Sequence, residues 1–255
     1  LAGHKPFWVL ADALTRAGVA VLRMDDRGMG ASEGDFASAT GQDFVRDASA
    51  GLDWLRDQPG VDIERLGVGG HSEGGGLAPF VAAERDDVAF LVLLAGSLVP
   101  GRELMPRQLR ALMTASGAPE AVVEQQAALQ ERMLDLSLAR APRDELRAVT
   151  SELILAQSGL PSLEGLPAEV QARFDQAIEA QVAQLDNDWM RGFLALDARE
   201  PLSELRLPTL VLNGSLDLQV LADQNLGAAR EAAERAGNEQ LVTRELPGLN
   251  HLFQT

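Results

Sequence analysis

Apolar and polar residues form two kinds of segment that follow one another regularly along the chain. Short and nearly continuous apolar runs predict strands over residues 19–24, 65–69, 89–95, 209–214 and 240–246. Uninterrupted apolar character is expected of strands that are covered on both faces, as the strands of parallel sheets are. These five runs therefore predict a central parallel sheet.

Longer segments carry apolar residues three or four positions apart, which places those residues on one face of a helix. This spacing predicts helices over residues 5–17, 43–58, 75–84 and 223–236. Strands that alternate with helices are typical of a doubly wound sheet. We therefore predict an α/β protein with a mostly parallel, doubly wound sheet.

From residue 101 to about residue 188 the chain changes character, because glycine becomes rare and helical stripes replace strands. The prolines that divide this segment into separate helices are Pro119, Pro142, Pro161 and Pro167. We expect residues 1–100 and 195–255 to form the core and residues 101–194 to form a helical lid over the site. The alternative is that these helices pack against the sheet without covering a site.

The composition of the chain excludes or disfavours several classes of function. Hydrophobic residues make up 46% of the 255 positions, which is enough for a packed core. A net charge of −16 disfavours a nucleic-acid partner and docking on anionic membranes. The absence of Cys excludes disulfides, thiolate nucleophiles and Cys-ligated metals. The longest apolar run, residues 88–99, is too short to span a bilayer.

One pentapeptide, Gly70-His71-Ser72-Glu73-Gly74, stands between a predicted strand and a predicted helix. In this context the pattern G-x-S-x-G forms a sharp turn that raises the serine hydroxyl above the sheet edge. Small residues two positions before and two after the serine are expected to let the strand and helix pass. The amide of Glu73 would face a developing oxyanion. In a chain with 24 Gly, a glycine-rich turn without chemistry is the alternative.

Three residues with complementary chemistry each follow the carboxyl end of a different predicted strand: Ser72, Asp217 and His251. Those ends lie along one edge of a parallel sheet, so residues distant in sequence can meet there. A serine hydroxyl becomes a good nucleophile when a histidine accepts its proton. A carboxylate on the other ring nitrogen fixes the histidine tautomer. We therefore predict these three as the catalytic residues.

Other residues of the same types fit structural roles better. His4 precedes the first helix, and the side chain of His71 is expected to point away from Ser72, to the other side of the turn. Asp197 precedes its strand, at the wrong sheet edge, and Asp223 begins a helix that it can cap.

The loop over residues 25–32 follows the first predicted strand and is rich in Gly and Asp. Ligand sites in open α/β sheets lie at such strand ends. Within this loop, Asp26 and Arg27 fit the bracing of the loop better than catalysis.

Four segments together, residues 25–32, 70–74, 213–217 and 248–251, resemble the α/β-hydrolase superfamily. The chain is most similar to its bacterial serine esterases and serine aminopeptidase-like members. The resemblance implies hydrolysis of a small carboxylic ester without cofactor or metal. It also implies that residues 101–194 form the variable lid. Two alternatives stay open, namely a peptide hydrolase of the aminopeptidase kind and a binding protein with an inactive site.

The start of the chain departs from that family. Its members carry a strand and a glycine-rich oxyanion loop before the first core helix, whereas here that helix begins almost at Leu1. We therefore expect the second oxyanion donor and the strands beside it to lie upstream of Leu1. The chain ends soon after His251, and we therefore also expect a final helix beyond Thr255.

Overall fold

The computed structural model describes residues 5–255, so His4 lies outside the described residues. Its sheet consists of β1 (Gly67–His71), β2 (Phe90–Leu94), β3 (Thr209–Gly214) and β4 (Leu241–Leu246). These strands pair in that order, and every pairing is parallel. The predicted α/β class with a parallel sheet is confirmed.

Helices surround this sheet, and the four whose bounds were predicted agree with the predicted bounds within two residues. Those of the first and last parts of the chain are α1 (Pro6–Arg16), α2 (Gly41–Arg56), α3 (Glu73–Ala83), α9 (Arg199–Leu202) and α10 (Ala222–Ala236). Those between β2 and β3 are α4 (Gly101–Ala115), α5 (Glu120–Leu138), α6 (Arg143–Ser158), α7 (Ala168–Leu185) and α8 (Asp188–Ala195).

Strand register brings the carboxyl ends of all four strands to one edge. His71 at the end of β1 pairs with Leu94 at the end of β2, and Gly214 of β3 pairs with Leu246 of β4. Segments that directly follow β1, β3 and β4 therefore emerge side by side. This register is what allows residues of three distant segments to form one site.

The prediction of a strand over residues 19–24 is wrong. This run pairs with no strand within residues 5–255, and Val19 is 43% exposed. Its side chains Leu22 and Met24 lie instead against Gly51 of α2. A strand exists only where a neighbour completes its hydrogen-bond ladder, and apolar composition alone does not supply one.

Two hydrophobic clusters hold the described chain together. The first lies between the sheet and α2, α3 and α10, and includes the fully buried Leu91, Leu93 and Leu226. The second lies among α5, α6 and α7, and the side chain of Phe193 on α8 packs against both clusters. The helices between β2 and β3 thus have a core of their own that is joined to the main core through α8.

Proline sets the starts of the helices between β2 and β3. The residues that precede α4, α5, α6 and α7 are Pro100, Pro119, Pro142 and Pro167, all with φ between −51° and −59°. Proline cannot donate a backbone N–H, so it ends the preceding segment and suits a helix start. Within residues 5–255, no helix is both long enough and apolar enough to cross a membrane.

Candidate active site

Ser72 occupies the turn between β1 and α3 with φ 56° and ψ −121°. A non-glycine residue held in a sparsely populated region costs about 1–3 kcal/mol, and such residues cluster at functional sites. Hydrogen bonds hold this conformation on both sides. The amide of Ser72 donates to the Leu94 carbonyl at 3.0 Å, and its own carbonyl accepts from the amides of Gly75, Gly76 and Ser97.

The glycines around Ser72 differ in how much space a side chain would find there. A Cβ on Gly70 would lie 2.1 Å from the carbonyl oxygen of Gly74, whereas a Cβ on Gly74 would meet nothing within 4 Å. The expectation that a small residue is needed two positions after the serine is therefore wrong. The second close approach lies one residue further on, where a Cβ on Gly75 would be 2.7 Å from the Cα of Gly96.

Alanine substitutions at the two flanking glycines should separate these roles. We expect Gly70→Ala to destabilise the fold by about 3 kcal/mol, because backbone must move to admit the methyl group. Gly74→Ala is the matched control and should raise stability by roughly 0.5–1 kcal/mol, since alanine is the better helix former. Chemical denaturation measures both values. Equal stability of the two variants would contradict this account of the turn.

Asp217 lies past the end of β3, and its side chain is fully buried. Oδ1 accepts hydrogen bonds from the amides of Gln219 and Val220, at 2.8 and 2.9 Å. Oδ2 accepts from Asn213 Nδ2 at 3.3 Å and lies 2.8 Å from His251 Nδ1. Donors thus surround both oxygens, which suits an ionised carboxylate that can only accept.

His251 follows β4, and its side chain is 9% exposed. Because Asp217 Oδ2 acts as an acceptor, the proton of a neutral His251 resides on Nδ1. Nε2 then carries the lone pair and is able to accept a proton. The pair has the orientation that a general base and its orienting carboxylate require.

Several hydrogen bonds connect the end of β3 to the loop after β4 that contains His251, which we call the histidine loop. The amide of Leu216 donates to the carbonyl of Leu249 at 2.9 Å, and the amide of Gly248 donates to Ser215 Oγ at 2.9 Å. The backbones approach so closely that a Cβ on Gly214 would lie 2.1 Å from the Leu249 oxygen. The positions of Asp217 and the histidine loop are therefore fixed relative to each other.

His71 does not point away from the site, contrary to expectation. Its Nε2 lies 2.8 Å from the backbone oxygen of His251, and the two ring centroids are 4.6 Å apart. The rings of Phe7 and Phe253 flank it at 5.7 and 6.3 Å. Burial lowers the pKa of His71, which favours the neutral ring.

Of the three predicted residues, two are in direct contact. A hydrogen bond joins Asp217 to His251, whereas Ser72 adjoins His71, which contacts His251. Within residues 5–255 no hydrogen bond links Ser72 Oγ to His251.

Glu73 follows Ser72 and contributes two groups to this edge. Its amide begins α3 and makes no hydrogen bond within residues 5–255, so it is free to bind an oxyanion. Its carboxyl accepts a hydrogen bond from Trp189 Nε1 of α8 at 3.0 Å. Burial raises the pKa of Glu73, the charge of Asp26 raises it further, and the Trp189 bond opposes the shift.

A small cavity lies between α3 and the end of α8. Glu73 and Ser97 give it polar atoms, and Phe193 and Leu196 give it apolar walls. The indole of Trp189 stacks on Phe193 with ring centroids 5.7 Å apart. The insertion therefore contacts the residue that follows Ser72.

The rejected acidic residues have other partners. Asp197 pairs with Arg199 at 2.6 Å, and Asp223 pairs with Arg107 at 2.7 Å. Neither takes part in the contacts around His251.

Arg27 braces its loop, as the sequence indicated. Its guanidinium donates two hydrogen bonds to the carboxylate of Asp47 on α2, at 2.8 and 2.6 Å, and one to the carbonyl of Asp43. These contacts tie the loop over residues 25–32 to α2, which is a structural role.

Neither Trp189 nor Asn213 was predicted to contribute at this edge, and His71 was predicted to point away from it. Asn213 carried a signal, because an amide at the end of an apolar strand is a buried polar group that needs partners. It donates to the Val220 carbonyl at 2.7 Å as well as to Asp217. Trp189 carried no such signal, since its partner is 116 positions away.

This sheet, with the helical insertion between β2 and β3, is the architecture of an α/β-hydrolase. Within that class, the sequence model of the serine aminopeptidase, S33 family matches residues 7–254, and the chain belongs to this family. No curated protein matches the chain.

Solved structures support the fold at low sequence identity. Est1E from Butyrivibrio proteoclasticus, with ferulic acid bound, is 14% identical at a TM-score of 0.54, covering 99% of this chain and 77% of that one. An esterase from Pyrococcus furiosus is 16% identical at 0.55, with coverage of 95% and 66%. A hydrolase from Pseudomonas aeruginosa is 22% identical at 0.51, with coverage of 96% and 78%.

Proposed function

We propose that the protein hydrolyses carboxylic esters through an acyl-enzyme on Ser72. The observation that carries this proposal is the buried bond of 2.8 Å between His251 Nδ1 and Asp217 Oδ2, beside the strained turn at Ser72. Family membership supports hydrolysis in general. One of the structures with a similar fold is named an esterase, which favours esters over peptides.

In the first half of the reaction, Ser72 Oγ attacks the ester carbonyl carbon while His251 Nε2 accepts the hydroxyl proton. The carbonyl oxygen becomes an oxyanion that the amide of Glu73 stabilises by a hydrogen bond. Collapse of this intermediate breaks the bond to the alcohol, which leaves with the proton from His251. Asp217 stabilises the imidazolium while it exists.

In the second half, His251 removes a proton from water, and the resulting oxygen attacks the acyl carbon on Ser72. The same amide of Glu73 stabilises the second oxyanion. The bond to Ser72 then breaks, the serine regains its proton from His251, and the carboxylic acid leaves. Bonds and protons balance over the cycle.

We also propose that the helical insertion acts as a lid over Ser72. Residues 101–194 would cover Ser72, with residues 1–100 and 195–255 as the core. Two contacts of α8 favour this function, namely the bond from Trp189 to Glu73 and the packing of Phe193 on both hydrophobic clusters. A lid in this position would form the apolar wall of an acyl pocket.

Fluorophosphonate labelling tests the proposal. We expect the folded protein to gain one adduct, located by peptide mapping on Ser72, and to turn over p-nitrophenyl esters of short acids. Heat-denatured protein is the control and should not be labelled. A folded protein that neither labels nor turns over esters would indicate the inactive binding protein instead.

Peptide cleavage is the second candidate, and the carboxyl of Glu73 favours it. An ammonium group of a substrate could pair with this carboxyl close to Ser72. Aminoacyl p-nitroanilides compared with the matching p-nitrophenyl esters decide between the two. Turnover confined to the anilides would replace the esterase proposal.

A further inference from the structure

His71 is a half-buried histidine that the proposed reaction does not use. It ends β1, and its ring is enclosed by Phe7, Phe253 and His251. Its Nε2 lies 2.8 Å from the backbone oxygen of His251, across 180 positions of sequence. A carbonyl oxygen only accepts, so this nitrogen must carry the proton and donate it.

The histidine loop is anchored unevenly. Its bonds to the end of β3 include those of Leu216, Ser215 and Asp217. Toward the turn that holds Ser72, within residues 5–255, the loop has one hydrogen bond, and His71 donates it. That bond is the direct hydrogen-bonded link between the loop and this turn within the described residues, whereas the other bonds act through β3 and the sheet.

We propose that His71 is a positioning residue: its Nε2–H holds the backbone of His251 so that the imidazole stays within reach of the Ser72 hydroxyl. The inference rests on the proposed function of these two residues. A neutral side-chain to backbone bond contributes only about 0.5–1.5 kcal/mol to stability. Its effect on rate is larger, because misplacement of a catalytic group by about 1 Å can cost about 100-fold.

The neutral form of His71 fits this role. During the reaction His251 becomes an imidazolium, and a second positive ring with its centroid 4.6 Å away would oppose that charge. A ring protonated only on Nε2 supplies the hydrogen bond without adding charge. Phe7 and Phe253 keep the surroundings apolar, which favours this state.

The test compares His71→Phe, which keeps a ring and removes the donor, with His71→Gln, which keeps a side-chain N–H. We expect His71→Phe to lower kcat for a p-nitrophenyl ester about 10- to 100-fold, with KM changed less than about twofold. His71→Gln should recover most of kcat, because the amide can still donate to the carbonyl. If His71→Phe does not fold, His71→Met replaces it as the variant without a donor.

Two results would overturn the inference. One is a kcat that is unchanged in the folded variant without a donor, and the other is an equal loss in the variants with and without a donor. A merely structural role predicts the second result, since both substitutions would disturb packing alike.

Amide hydrogen exchange tests this inference independently of the proposed function. If the wild-type protein neither labels nor turns over esters, the proposed function has failed, whatever His71 does. Amide exchange across residues 248–254 then decides: faster exchange in His71→Phe than in wild type and His71→Gln supports the tether, and equal exchange in all three overturns it.

Discussion

Replacement of Ser72 by alanine is expected to lower kcat/KM for a p-nitrophenyl ester by about six orders of magnitude, as loss of an activated nucleophile does in other serine hydrolases. Alanine leaves no hydroxyl for acylation, so only the oxyanion donor and substrate binding still act on the reaction. The fold should persist, because alanine meets the same positive φ as serine and the hydroxyl holds no hydrogen bond within residues 5–255.

Ester turnover tests the predicted loss of activity, and thermal unfolding tests whether the variant keeps its fold. Ser116→Ala is the matched control, since Ser116 is exposed after α4 and its hydroxyl bonds only to the nearby Met113 carbonyl. We expect the control to keep wild-type turnover. A Ser72→Ala protein that is folded and still active would show that another group performs the chemistry.

The substitution Asp217→Asn should lower kcat/KM by about four orders of magnitude. Oδ1 of Asp217 accepts from two backbone amides, so the oxygen of an asparagine amide must take that place. Its NH2 group then faces His251 Nδ1 and donates to it. The histidine is forced into the tautomer with the proton on Nε2, which cannot accept a proton from Ser72.

The control for this charge removal is Asp223→Asn. Asp223 pairs with Arg107 on the surface, and its side chain is 69% exposed. We expect its kcat/KM to stay within about twofold of wild type, because exposed ion pairs contribute little. Equal activities of the two variants would exclude Asp217 as the residue that orients His251.

The sequence was sufficient for the fold wherever a segment's pattern and its neighbours agree. The strand over residues 209–214 is found at its predicted bounds, because its apolar run is bounded by proline and polar turn residues. Residues 19–24 have the same character and form no strand. The difference lies in the hydrogen-bond ladder, which depends on a partner rather than on the segment itself.

Much of the candidate site was also predictable, because its chemistry limits the choice. Of the three histidines, His4 precedes the first helix and His71 was expected to point away from Ser72, which left His251 after the last predicted strand. The structure joins His251 to Asp217 by a hydrogen bond, and the catalytic roles of Ser72, Asp217 and His251 stay predictions.

The contacts between distant side chains could not be predicted. The direction of His71 follows from the backbone at Ser72 and from a loop 180 positions later. The bond from Trp189 to Glu73 follows from how α8 packs on the core. Neither periodicity nor spacing contains this information, since both describe a segment alone.

The placement of the three tryptophans makes the protein's own fluorescence informative. Trp8 and Trp54 are exposed, whereas Trp189 is partly buried, donates to the Glu73 carboxyl and stacks on Phe193. A soluble quencher such as acrylamide therefore quenches the first two more strongly than the third. The less quenched part of the emission reports mainly on the contact of α8 with the residue after Ser72, and it would change whenever that contact opens.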